Sequence, residues 1–167
     1  MKRFLLAIGL VCALMIGAWA AAAPANFSGT WALDKSKSEG LNPRMADLDV
    51  TMTVTQDDKQ LITETKYTGG AQERPAQKFA YNLDGSETTA EMGGNMPGKV
   101  TLKAKWMGDG KILELNSVRN VTIQDTPATI TQKEHWELAE GGKVLKVHRT
   151  TESPRGTQES KLTFNKK

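Results

Sequence analysis

Three observations predict an all-β fold for this 167-residue chain: about ten antiparallel strands in an up-and-down barrel. First, no stretch sustains a helical period of apolar residues. Gly, Asp, Asn and Pro punctuate the chain about every 8–12 residues, the spacing of a barrel or sandwich. Second, the links between strands are short enough for hairpins. That makes neighbours antiparallel, because a parallel pair needs a crossover of about a dozen residues or more. Third, the last three hairpins agree on a common inside. A meander of this length removes its exposed edges by closing on itself.

The N-terminus reads as a signal peptide, residues 1–23. Lys2 and Arg3 start it, Phe4 to Trp19 is apolar but short for a membrane span of about 20 residues, and Ala18-Trp19-Ala20-Ala21-Ala22-Ala23 offers small-residue cleavage sites. The expectation is export, to a periplasm or outside the cell. The one cysteine, Cys12, lies in this segment behind Gly9-Leu10-Val11, a poor lipobox, so the mature chain holds together without disulfides. Residues 24–167 then form a single domain, of the usual size of about 100–200 residues.

Within that domain, Phe27 to Leu33 reads as a strand with Trp31 and Leu33 on one face, followed by the polar loop Asp34 to Asp47 with one short helical turn. In Asp49 to Gln56, Val50, Met52 and Val54 alternate with Thr51, Thr53 and Thr55, as a half-buried strand requires. Asp57-Asp58 turns the chain into Gln60–Thr68, and the Gly69-Gly70 loop leads to Gln77–Leu83. Asp84-Gly85 is a two-residue hairpin signal, returning into Ser86–Met92. Gly93–Gly98 precedes Lys99–Met107, and Gly108-Asp109-Gly110 opens Lys111–Ile123. Asp125-Thr126-Pro127, Glu140-Gly141-Gly142 and Pro154-Arg155-Gly156 lead into Ala128–Leu138, Lys143–Glu152 and Thr157–Asn165.

Counting outward from these turns sets Leu113 opposite Leu138, Leu115 opposite Trp136, Ser117 opposite Glu134 and Arg119 opposite Gln132. The next hairpins set Trp136 by Val147, Glu134 by Arg149, Val147 by Leu162 and Arg149 by Ser160. A slip by one residue would turn a whole apolar set outward. The shared face is apolar at one end and polar at the other, which suits a cavity better than a plain core. Upstream, Trp106, Ala104, Leu102 and Val100, then Tyr81, Phe79, Tyr67 and Thr65, join it.

The candidate ligand-binding residues are therefore Arg119, Arg149, Glu134, Trp136, Tyr81 and Tyr67. The arginines, helped by a tyrosine, would hold an anionic or polar head group, since guanidinium stays charged and donates in a planar fork. Trp136, nearest the polar boundary, would line the pocket. In the competing reading Glu134 and Arg149 only neutralise each other, as a buried charge must be paired. A cavity on the order of 300 Å³ or more reaching either arginine separates the two.

Other functions are disfavoured. Of 22 basic residues, Lys2 and Arg3 leave with the signal segment, and the rest face 19 acidic ones, so the mature charge is +1 and no nucleic acid is expected. His135 and His148 fall on the outward parity. There is no zinc spacing and no Gly-x-Ser-x-Gly elbow, and Gly93–Gly98 lacks a Lys-Ser/Thr tail. No metal, no cofactor and no enzyme activity are expected, and no membrane span follows Ala23. The expected state is a monomer.

Phe27-Ser28-Gly29-Thr30-Trp31 opens the domain, and its Gly-x-Trp is similar to the lipocalin opening signature. In that family the Trp closes the base of the barrel and packs near a basic residue from a late strand. With Asp34-Lys35-Ser36-Lys37-Ser38, Tyr81-Asn82-Leu83-Asp84-Gly85 and the Trp136 strand, the chain resembles small exported bacterial lipocalin-like proteins without settled functions. No helix is predicted between the last strand and Lys167, so a looser calycin-type barrel is expected. The arginines also resemble those of fatty-acid-binding barrels, which use buried arginines and a tyrosine on late strands. The resemblance implies a small hydrophobic or amphiphilic ligand. The alternative is a filled structural or interaction barrel with no ligand, working through its outer strands and the Asp34–Asp47 loop.

Overall fold

A computed structural model describes residues 23–167 except 46, 71–73, 93–97 and 124–125. Nearly all of the expected signal segment, Cys12 included, lies outside the described residues, as do most of the Gly93–Gly98 turn and Asp125. Among the described residues no helix is long and apolar enough to cross a membrane.

The strands are β1 (Gly29–Leu33), β2 (Asp49–Gln56), β3 (Gln60–Thr68), β4 (Gln77–Asn82), β5 (Thr88–Met92), β6 (Gly98–Met107), β7 (Ile112–Ile123), β8 (Thr126–Ala139), β9 (Val144–Ser153) and β10 (Gly156–Lys166). They form one antiparallel sheet in the order β4-β3-β2-β1-β10-β9-β8-β7-β6-β5. The first and last strands of that order come side by side, so the sheet curls into a nearly closed barrel with one seam. Among the described residues no backbone ladder crosses the seam. The Thr88 hydroxyl donates to the Ala80 carbonyl, and the Gln77 amide approaches the Met92 sulfur at 4.0 Å.

The seam corrects the expectation of a tight Asp84-Gly85 hairpin. The Asp84 carboxylate accepts from the Ser86 amide (2.8 Å) and hydroxyl (2.6 Å), and Asn82 donates to the same hydroxyl. These local bonds turn the chain over residues 83–87 before any ladder can start.

The second correction is a register. β7 and β8 pair as Leu113–Trp136, Leu115–Glu134, Ser117–Gln132 and Arg119–Ile130, two residues away from the expected alignment. Ile123 pairs with Thr126, so Thr126 and Pro127 belong to the strand and not to the turn. Pro127 is tolerated because β9 joins β8 only from Thr131, leaving the proline without a partner on that side. A slip by two preserves which face each side chain occupies. It also moves Arg119 one pair farther from Glu134. The β8–β9 and β9–β10 registers are those counted from the sequence.

One end of the barrel is filled. Phe27 is fully buried, stacked on Trp106 with centroids 6.1 Å apart and edge-on to Trp136 at 5.8 Å. Burying that ring contributes about 1.5–3 kcal/mol. The Gln56 amide fixes the segment ahead of β1, accepting from the Phe27 amide (2.9 Å) and donating to the Ala25 carbonyl (2.9 Å). Trp31 donates its indole N–H to the Phe27 carbonyl, and Lys166 Nζ lies 5.2 Å from the Trp31 ring centre. A basic residue from the last strand therefore sits over the Gly-x-Trp tryptophan. Gly29 makes room for it: a Cβ there would meet Lys166 Cε at 2.7 Å.

At the opposite end the loop between β1 and β2 carries two single 3-10 turns, Lys35–Lys37 and Pro43–Met45, one more than expected. It runs beside β10, with Glu39 bridging Lys161 and the Gly40 carbonyl accepting from Ser160 (2.8 Å) and Gln158 (3.3 Å). Leu41 and Met45 from this strap pack on the core.

Candidate ligand site in the barrel mouth

The inward faces of β7, β8 and β9 change from apolar to polar halfway along the barrel. Below the change, Leu113, Leu115, Leu145 and Val147 are no more than 2 % exposed. At the change stands Glu134, whose carboxylate collects three donors. Arg149 Nε (2.7 Å) and Gln132 Nε2 (2.8 Å) reach Oε1, and Trp136 Nε1 (2.7 Å) reaches Oε2. Gln132 and Trp136 flank Glu134 at i−2 and i+2, so the strand period alone brings them to its face. Arg149 arrives from β9 as the direct cross-strand partner.

The accessible surface of this pair is unequal. The Glu134 side chain is 10 % exposed and that of Arg149 is 27 %. Arg149 therefore keeps part of its side chain accessible beside a nearly enclosed carboxylate. Burial opposes its charge most strongly, but Glu134 and the nearby phenols more than compensate and hold Arg149 above the ordinary guanidinium range.

Tyr67 and Tyr81 both feel this pair. Burial pushes the Tyr81 phenol far above its ordinary value, with Glu134 adding to the effect and Arg149 opposing it. Burial also raises Tyr67, while Arg149 and, at the rim, Arg74 pull it back. Tyr81 packs edge-on against Phe79 and is 6 % exposed. Tyr67 is half-buried and lines a cavity of about 780 Å³, together with Lys66, Thr68, Gly69, Gly70, Arg74, Pro75 and Ala76. Neither Arg119 nor Arg149 is among the described lining residues.

The six candidate residues thus fall into three groups. Glu134, Arg149 and Trp136 are hydrogen-bonded together, with the Trp136 ring in the filled base and only 2 % exposed. Tyr67 and Tyr81 border that cluster on β3 and β4. Arg119 stands apart on β7, opposite Ile130 and Val100, with Nη1 3.3 Å from the Met92 sulfur. Gln132, Met92 and Arg74 were missed as site residues. Gln132 was legible from its i−2 position, whereas Met92 reaches Arg119 across the intervening strand β6 and Arg74 comes from the β3–β4 loop beside Tyr67.

The histidines face outward as paired neighbours on β8 and β9. His135 Nε2 lies 2.9 Å from Glu114 and His148 Nε2 3.9 Å from Glu159. Among the described residues no three metal-ligating side chains converge.

No protein-family model matches the chain, and no curated protein sequence does. Solved structures do. Zebrafish ileal bile acid-binding protein complexed with cholic acid superposes with a TM-score of 0.56 at 15 % identity, over 84 % of this chain and 98 % of that one. The chain has the same β-barrel fold. Human cRBP IV matches with a TM-score of 0.53 at 17 % identity, covering 86 % of this barrel and all of its own chain. A secretory abundant heat soluble protein from Ramazzottius varieornatus matches at 0.52 and 12 %, over 84 % and 94 %. At such identities the likeness establishes the fold alone. The zebrafish protein is named for bile acid binding and the Ramazzottius protein for heat solubility, so what this barrel does must be argued from its site.

Proposed function

We propose that this chain is an exported, monomeric binding protein that holds a small hydrophobic or amphiphilic ligand in the mouth half of its barrel. The ligand's polar group lies in the polar half of the barrel, where the inward side chains include Arg119, Tyr67 and the Arg149–Glu134 cluster, and its apolar part lies against Phe79 and the apolar wall. The observation that carries this reading is the change of the inward faces of β7, β8 and β9 from apolar to polar at Glu134 and Arg149. Beside Tyr67, on the β3–β4 side, lies the cavity of about 780 Å³, whose described lining includes neither arginine. Its volume exceeds the roughly 300 Å³ at which small-molecule sites begin. The 27 % exposure of the Arg149 side chain supports the reading, because part of the cationic side chain stays accessible beside its partner. Export rests on the Lys2-Arg3 start, the apolar run and the alanine-rich cleavage region.

A filled structural barrel is the second reading. It draws on the solid base and on Glu134, whose three donors leave little unsatisfied. Titration of the mature protein with saturated fatty acids of graded length and a naphthalene dye, followed by tryptophan fluorescence, separates the two. Saturable binding that is abolished by Thr65→Phe, which fills the mouth from β3 without touching the charged cluster, supports the ligand reading. Absence of binding across the panel sinks it and leaves the filled barrel.

A further inference from the structure

Among the described residues the partly buried Arg119, on the inward face of β7, has no carboxylate partner. Arg149 is neutralised by Glu134, but the β7–β8 register sets Glu134 opposite Leu115 and Arg119 opposite Ile130. On its other side Arg119 faces Val100 of β6. Among the described residues its Nε is buried and has no acceptor. Its Nη1 donates to the Met92 sulfur at 3.3 Å. A thioether is a weak acceptor, and leaving a charged donor without a good one is costly.

The same sulfur receives the Gln77 amide from β4 at 4.0 Å. Donors from β4 and β7 therefore converge on one poor acceptor on β5, at the seam where no backbone ladder holds the sheet together. A guanidinium cannot relieve this by losing its proton under ordinary conditions. What fits is an acceptor of better quality arriving from outside.

We propose that Arg119 is the anion subsite of the barrel, that Met92 stands in for the anion while the barrel is empty, and that an entering organic carboxylate or sulfonate displaces the Met92 thioether. This rests on the ligand-binding reading above and deepens it. The ligand is a compact organic anion whose charged group goes to Arg119, while Arg149 stays with Glu134 as part of the polar wall. Carboxylate suits the site because the free Nε and its neighbouring amino group present a planar fork. Met92 lies against Nη1, so its departure frees the outer edge of the guanidinium as well and removes one of the side-chain ties across the seam.

Two experiments on the mature protein test this. In the first, sodium acetate is titrated against sodium chloride of equal ionic strength, with NMR detection of arginine Nε–H and methionine methyl signals. The Arg119 signal is assigned by its loss in Arg119→Lys and the Met92 signal by its loss in Met92→Leu. Acetate is expected to shift both saturably and to leave the Arg149 signal in place. A shift at Arg149 alone, or at neither arginine, overturns the proposal.

In the second, 1-naphthoate is compared with the uncharged 1-naphthamide. Met92→Glu places a carboxylate permanently by Arg119 and should weaken naphthoate by about 10- to 100-fold while sparing naphthamide. Equal naphthoate affinity in wild type and Met92→Glu overturns the proposal. The two readings fail separately. If acetate moves Arg119 but neither naphthyl compound binds, the anion subsite stands and the amphiphile reading falls. If both compounds bind and Arg119 ignores acetate, the reverse holds.

Discussion

Removing Glu134 should destabilise the barrel more than removing Glu134 and Arg149 together. In Glu134→Leu three donors lose their acceptor at once. The Trp136 N–H sits in the filled base, 2 % exposed, where an unmet donor costs about 1–3 kcal/mol. Stranding a fully buried charge costs about 3–5 kcal/mol. The 27 % accessibility of Arg149 lets it draw on solvent, so about 1–2 kcal/mol is a fairer figure there. Together these give about 3 kcal/mol for Glu134→Leu. Arg149→Met leaves a 10 % exposed carboxylate with only its two neutral donors and should cost about 2–3 kcal/mol. The double variant removes both charges and strands only neutral donors, costing about 1–2 kcal/mol. The coupling is therefore about 3 kcal/mol or more, the range of residues within one network. Urea denaturation of all four proteins, followed by far-ultraviolet circular dichroism at pH 7 and at two salt concentrations, measures it. Because the pair is inside, salt should change the coupling little. Additive costs, or a coupling that vanishes in salt, would refute the picture of an enclosed pair.

Gly40→Ala should cost about 2–3 kcal/mol. Its φ is +65° and a Cβ would stand 2.3 Å from the Glu159 carbonyl, a backbone atom that cannot swing away. Thermal denaturation and proteolysis of the strap read this, and an unchanged midpoint would show that the strap does not lie on β10 as described. Glu114 is held below its ordinary value of 4.5, chiefly by the hydrogen bond to His135, with Asn116 helping against partial burial. Its contribution is complete above the ordinary value and is lost as pH falls through the lowered one. Glu114→Gln should accordingly flatten the acid limb of the stability curve; an unchanged limb would contradict this. Neither phenol should ionise near pH 10 in the folded protein, since burial raises both. The unfolded chain ionises there first, so stability declines as pH rises beyond about 10, and the 295-nm absorbance of Tyr67 and Tyr81 should rise only with unfolding. A folded protein titrating normally at pH 10 would count against the enclosed mouth.

The local parts of this architecture are written in the chain. Strict alternation in Asp49–Gln56 and the Gly-containing turns after Ala139 and Ser153 define strands and register, because a hairpin's pairing follows from its turn. That is why the Glu134–Arg149 pair was legible. Pro127 misled the count since proline reads as a turn, while the ladder of β7 and β8 outruns β9 and leaves room for it. Asp84-Gly85 likewise reads as a hairpin, and only the competition of Ser86 for the Asp84 carboxylate shows why the sheet parts there. The base was hidden for another reason. Phe27 and Gln56 meet across 29 positions, and no periodicity reports such a contact. Arg119 and Met92 meet across the intervening strand β6, so their contact follows from two hairpin registers together and has no signature in either strand alone.

Native mass spectrometry of the purified mature protein, followed by extraction of whatever accompanies it, tests the central claim most directly. A small organic molecule released on denaturation, and absent from a Thr65→Phe preparation, is the expected result. A bare mass that stays bare after exposure to an amphiphile panel would contradict it and leave the mouth of the barrel without an occupant.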